Sequence, residues 1–181
     1  MRRRFGRSEP GGRTETEGER LMKRILVGLA MAVVSLALSN CVLAQSSPFA
    51  GTWKLNVAKS KFEGGPAPKS LTRTVTAVGG GLKYAFEGVT GDGSKVSYSF
   101  TSKLDGTDAP VSGEGMPGGA DAVSLQKVGE NKTEGTMKKG GKEVGTATSE
   151  VSKDGKTTTV TTTAKTADGK EIKATSVYDK Q

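Results

Sequence analysis

From residue 49 onwards, apolar and polar residues alternate in short runs, and glycine-rich breaks separate the runs. A period of two puts successive side chains on opposite faces of an extended backbone, so each run reads as a half-buried β-strand. Residues 49–56 begin the series, with Trp53 and Leu55 on one face. In 71–78, Leu71, Arg73, Val75 and Ala77 share a face and Thr72, Thr74 and Thr76 oppose them. Leu82, Tyr84 and Phe86 alternate with Lys83, Ala85 and Glu87. Val96, Tyr98, Phe100 and Leu104 form the clearest apolar stripe in the chain. Residues 123–127, 132–138, 142–151, 157–165 and 171–178 continue the alternation.

The breaks are turn signals. Gly91-Asp92-Gly93, Asp105-Gly106, Asp154-Gly155 and Asp168-Gly169 suit tight hairpins, because glycine takes positive φ without steric cost. Gly79-Gly80-Gly81, Gly129-Glu130-Asn131 and Gly140-Gly141 supply the others. Residues 57–69 contain Gly64-Gly65-Pro66 and Pro68, which leave room for one helical turn around 58–61. Residues 108–121, with Pro110 and Pro117, read as a loop or an irregular edge strand. No amphipathic helix is expected in this half of the chain. Nine or ten strands joined to their sequence neighbours imply an all-β antiparallel meander. Sheet twist and the hazard of open edges favour closure into a small up-and-down barrel of about 8–10 strands, ahead of an open or two-layer sandwich.

The last four strands carry few large apolar residues; residues 157–163 are one valine among six threonines. Threonine suits a strand but adds little to a core. The first four strands must therefore provide most of the packing, and the expected interior is thin or partly filled with water.

The front of the chain has a different pattern. Met22-Lys23-Arg24 precedes an apolar run of 14 residues, 25–38, and Val42 and Ala44 stand three and one before Gln45. This is the three-part layout of a secretory signal peptide, in a run shorter than the roughly 20 residues that span a bilayer. A retained membrane anchor is the alternative. Residues 1–21 precede this pattern as an over-extended start, or a weak twin-arginine signal. Leu38-Ser39-Asn40-Cys41 resembles the box at which bacterial lipoproteins are cleaved and acylated, but Asn40 stands where a small residue is usual. Cleavage after Ala44 is the preferred expectation and lipidation of Cys41 the lesser one. The domains are then 1–21, a signal peptide at 22–44 and a barrel at 45–181, periplasmic or secreted.

Export changes the charge. Eight of the 27 basic residues and four of the 19 acids lie before Gln45, so the net charge falls from +8 to +4. The lysines are scattered, without the clustered face and interleaved aromatics of a nucleic-acid binder. From Gln45 onwards there is no His and no Cys. Triads with histidine, thiol nucleophiles, His/Cys metal sites and disulfides are thereby excluded. No phosphate-binding glycine loop opens a helix. Asp92, Asp105, Asp154 and Asp168 fall in turns, where aspartate bonds its own backbone, and no single turn offers the oxygens that calcium needs. No enzyme activity, metal or cofactor is expected.

Arg73, the one arginine after the leader, stands among apolar neighbours. Three placements are open. It faces inward as an anchor for an acidic head group; it faces inward and is held by Trp53 or an internal carboxylate; or the threonine face is the inner one and Arg73 is solvated. Tyr84, Phe86, Tyr98 and Phe100 line either an ordinary core or an apolar pocket.

Phe49-Ala50-Gly51-Thr52-Trp53-Lys54-Leu55 resembles the opening of the fatty-acid-binding proteins and, more broadly, the Gly-x-Trp strand of the calycins, which include the lipocalins. Val177-Tyr178-Asp179-Lys180 is similar to the Tyr-Glu-Lys ending of the former. The resemblance implies a lipocalin-like barrel with structural roles for Gly51 and Trp53 and a ligand role for Tyr178. It departs in two places: 57–69 is too short for the family's helical lid, and Ser176 stands where an arginine would hold a ligand carboxylate. The expectation is a monomeric exported barrel that carries a small lipophilic molecule, with membrane contact only through the leader or a lipid anchor. The alternative is a ligand-free structural or interaction protein of the envelope. A cavity or a filled interior separates the two.

Overall fold

The computed structural model describes residues 47–166 and 169–181, so the leader, Cys41, the cleavage site and Asp168 lie outside the described residues. Among the described residues twelve strands form one antiparallel sheet: β1 (Gly51–Leu55), β2 (Lys61–Glu63), β3 (Ser70–Val78), β4 (Gly81–Val89), β5 (Lys95–Ser102), β6 (Asp105–Pro110), β7 (Ser112–Glu114), β8 (Ala122–Lys127), β9 (Lys132–Lys139), β10 (Lys142–Val151), β11 (Thr157–Lys165) and β12 (Glu171–Lys180). Along the sheet the order is β6-β8-β9-β10-β11-β12-β1-β3-β4-β5-β7. Among the described residues the helical elements are two 3-10 turns, Val57–Lys59 and Pro117–Gly119.

The sheet curls because β12 returns to β1. Trp53 lies opposite Lys180 and Leu55 opposite Tyr178, while the other edge of β1 takes β3, with Trp53 opposite Arg73. At the far side the ladder is interrupted. β6 lies along β8 and β7 along β5, so two strands joined through Val111 stand on opposite banks of one seam. The result is an up-and-down barrel, closed except at that seam.

The nine principal strands fall where the alternation places them. The differences are local. Of the two readings of residues 108–121, the irregular edge strand is the one found: they hold the end of β6, β7 and a 3-10 turn. β1 begins at Gly51; Phe49 precedes it in a turn and is nonetheless buried. β2 is too short for periodicity to reveal. It pairs with β12 beyond the stretch that β1 covers, and the 3-10 turn between them is stitched to Val177 by Asn56 N–H (2.8 Å to the carbonyl) and Ser60 Oγ (2.9 Å from the amide).

Leu104 does not continue the β5 stripe. The strand stops at Ser102, whose hydroxyl accepts the Leu104 amide at 3.0 Å, and Leu104 turns with φ +61°. The strand boundary therefore precedes Asp105-Gly106, which opens β6 instead of forming the hairpin turn. Ala77 keeps the face of Arg73 and Val75, opposite buried Leu82, but is exposed near the end of β3.

Trp53 is fully buried at the closure. Its indole N–H donates to the Phe49 carbonyl at 3.0 Å, and the Lys180 ammonium stands 5.0 Å from the ring centre. Gly51 makes this possible: its φ is +138°, and a Cβ there would come within 2.8 Å of Lys180 Cε. Trp53→Ala should therefore cost about 3–5 kcal/mol, as large-to-small changes at buried aromatics do. Urea unfolding followed by far-UV circular dichroism measures this; a midpoint close to that of the wild type would mean that the indole does not hold the closure.

Candidate functional site

The two sides of the barrel are furnished differently. Strand register brings Trp53, Arg73, Phe86 and Tyr98 into one inward row and Val75, Tyr84 and Phe100 into the next. Their rings stack across β4 and β5: Phe86 on Tyr98 at 4.6 Å between centres, Tyr84 on Phe100 at 4.9 Å. The facing wall, β9 to β12, turns short side chains inward over two rows, with Met137, Ile172 and Tyr178 as its large residues. Register aligns Thr133, Ser149, Val160 and Ser176 in one row and Gly135, Ala147, Thr162 and Ala174 in another.

Large residues on one side and small ones on the other do not meet. The space left is a cavity of about 340 Å³. It reaches the surface between residues 63–68, the turn at Thr90-Gly91 and the loop at Gly115-Met116-Pro117. Phe62 from β2 and Ile172 from β12 flank this mouth. Lys173, also at the mouth, is paired with Glu171 at 2.9 Å.

Arg73 faces inward, 2 % exposed, so the solvated placement with threonines inside is overturned. The register with Trp53 and Phe86, both on the inner face, leaves it no other side. Among the described residues neither holder expected from sequence is present. Trp53 is covered by Lys180, and the titratable groups that act on the guanidinium are Tyr84, Tyr178 and Tyr98, without a carboxylate. Arg73 instead reaches across the cavity. Its Nη1 donates to Ser149 Oγ at 3.1 Å, and its Cζ lies 5.2 Å from the centre of the Tyr84 ring. Arg73 Nε and the Tyr84 hydroxyl are both buried without a well-formed hydrogen bond, though the two side chains act on each other.

Burial lowers the Arg73 pKa, opposed by the three phenols. The ordinary value lies so far above neutrality that the group stays charged. The tyrosines shift the other way. Burial pushes Tyr178 up to about 12 against the pull of Arg73 and a hydrogen bond with Ser176. Tyr98 rises through burial and then through Tyr178, and Tyr84 through burial.

All six residues expected around a ligand, namely Arg73, Tyr84, Phe86, Tyr98, Phe100 and Tyr178, line this one cavity. Ser176, where the resemblance expects an arginine, lines it too. Sequence reasoning missed Ser149, Phe62 and Met137. Ser149 sits in a hydroxyl-rich strand with nothing local to mark it; the available signal was the poverty of bulky residues in the last four strands. The turn aspartates lie elsewhere and serve the backbone. Asp92 accepts from Thr90 and Ser94, Asp105 from Thr107, and Asp154 from Ser152 and Lys156. Those bonds lower each carboxyl pKa.

No family model matches the chain, and no curated protein matches it. Among solved structures it is similar to the zebrafish ileal bile acid-binding protein complexed with cholic acid, at 16% identity and a TM-score of 0.44, covering 75% of this chain and 100% of that one. A superposition that loose says nothing about what this barrel holds.

An unpaired buried charge is costly to the fold. Arg73→Met, which keeps the bulk and removes the charge, should stabilise the free protein by about 1–3 kcal/mol in urea unfolding; a loss of stability would make Arg73 a structural tie. The chain's three tyrosines all line the cavity, so alkaline titration reads this site alone. Their raised values favour the folded state below pH 10, the ordinary value, and that contribution is lost as pH rises towards about 12 for Tyr178. Phenolate absorbance should therefore appear together with the loss of β-sheet dichroism. Absorbance rising near pH 10 with the sheet intact would show that the phenols are solvated.

Proposed function

We propose that this chain is a non-catalytic carrier that binds a small apolar or amphipathic molecule inside its barrel, outside the cytoplasm. The observation that carries the reading is the cavity. Its volume of about 340 Å³ falls within the range of small-molecule sites. It opens to the surface at one end and is walled by stacked aromatics with a few polar groups at defined places. A closed structural barrel has no need of such a space, since interiors normally pack to crystal-like density. Export rests on the leader pattern at 22–44, with processing after Ala44 and a monomeric product. A non-catalytic role rests on the absence of His and Cys beyond that point.

The test is a titration of the processed protein, its start at Gln45 checked by mass, with a neutral apolar fluorophore and with a fluorescent fatty acid. Saturable one-site enhancement with a Kd on the order of micromolar is expected. Val160→Trp, which adds bulk to the small-residue wall, should fold normally and weaken binding at least about tenfold, a change of roughly 1.4 kcal/mol. Absence of saturation with both probes, or undiminished binding to the filled variant, would refute the carrier.

A further inference from the structure

The mouth of the barrel is bounded by three segments, and two of them are fixed. Residues 57–63 are stitched to β12 through Asn56, Ser60 and β2. Residues 66–69 and the turn at Thr90-Gly91 lock onto each other. The Lys69 amide donates to the Val89 carbonyl at 3.0 Å, and a Cβ on Gly91 would come within 2.6 Å of the Ala67 carbonyl oxygen and of Pro66 Cβ. The third segment, residues 115–117, belongs to a loop held firmly at its base alone. There the Val111 amide donates to the Asp121 carbonyl at 2.8 Å and the Asp121 amide to the Lys138 carbonyl at 2.9 Å, while the Asp121 carboxylate accepts the Gly140 amide at 2.9 Å. Beyond that base lie only the three-residue strand β7, paired with β5, and one 3-10 turn.

The outer part of the loop rests in two seats that glycine fits. Gly113 lies on β5, where a Cβ would strike the Ser97 carbonyl. Gly118, at φ +68°, lies on β10, where a Cβ would come within 3.1 Å of Val144 Cγ2. Between these seats Met116 lines the cavity and packs, half-buried, against the core. The loop therefore reaches from the aromatic wall to the small-residue wall with one apolar side chain at the opening.

We propose that residues 111–121 form a hinged flap whose movement widens the mouth for entry and release. This deepens the carrier reading and rests on it. The flap turns on its Val111–Asp121 base, parts β7 from β5 and takes Met116 out of the mouth. The movement costs little, because a three-residue ladder and two packing seats are lost while no long strand changes partner. Seated, the flap narrows the mouth and sets how fast a bound molecule leaves. Residues 57–69, where the resembled family carries its lid, are the part that stays in place.

A disulfide across the outer seat tests this. From Gln45 onwards the chain has no cysteine. A Cβ at residue 118 would stand 3.3 Å from Val144 Cβ, near the roughly 3.5–4.5 Å that a disulfide takes. Gly118→Cys combined with Val144→Cys therefore staples the flap to β10. Strain from a side chain at this φ is present in the reduced and oxidised forms alike, so the reduced form is the reference. Stopped-flow mixing of the processed variant with the neutral fluorophore N-phenylnaphthylamine should show association and dissociation both slowed at least about tenfold on oxidation, with Kd changed less than about threefold, because a gate alters rates and leaves the site intact. Equal rates in the two forms would overturn the flap, as would slowing of one rate alone. In the wild type, the amides of Ser112–Glu114 that bond to β5 should exchange with deuterium at least about tenfold faster than the Lys69 amide. Equal protection would also overturn the flap, and this measurement decides should the double variant not fold or not oxidise. The two readings fail differently. If N-phenylnaphthylamine does not saturate the wild type, the carrier falls. If it saturates but exchanges as fast with the flap stapled, the flap alone falls.

Discussion

Everything inside this barrel depends on the pairing of its first strand with its last. β1 and β12 are the ends of a meander, and each leaves a row of unpaired backbone groups until they meet. Their junction is built around Trp53, whose ring is buried, whose N–H is taken by the Phe49 carbonyl, and over which Lys180 lies in the room left by Gly51. Once it forms, the inward faces of all the long strands share one interior. Without it, the aromatic wall and the small-residue wall would be separate faces of an open sheet. The contact joins residues over a hundred positions apart, so forming it carries a large loop-closure entropy.

The cavity is a consequence of unequal walls rather than of a dedicated pocket motif. Tyr84, Phe86, Tyr98 and Phe100 project further than the space from their own strands requires, while Ala147, Ser149, Thr162 and Ala174 stop short. Natural interiors are usually filled, and a gap forfeits dispersion contacts. A barrel that leaves a gap and also buries an uncompensated arginine sacrifices stability at one location. Such concentrated cost is a mark of sites that act on something else. Arg73 and the three tyrosines are coupled through it: burial drives the guanidinium and phenol pKa values in opposite directions, and each charge moderates the other's shift.

The strands were legible because their determinants are local. Alternation over six to ten residues and glycine at the turns marked the hairpins from β3 to β5 and from β8 to β12. Where local signals were short or conflicting, the reading slipped. β2 has three residues, Leu104 kept the alternation while the backbone turned away, and Asp105-Gly106 looked like a hairpin turn but opened a strand. The inward face of β3 was ambiguous for a physical reason. Leu71, Val75 and Ala77 argued for one face and the charge of Arg73 for the other, and no local term weighs a buried guanidinium against a buried threonine row.

By itself, then, the sequence determined the antiparallel meander, most of its turns, the aromatic stripe on β4 and β5, and the absence of histidine throughout and of cysteine from Gln45 onwards. The tertiary structure alone decided that Arg73 points inward, that Ser149 receives it from 76 residues away, and that the facing walls fail to meet. Side-chain alternation is set within a few residues, but whether two faces fill the space between them depends on which strands the closed barrel brings opposite each other, and that is a property of the whole cylinder.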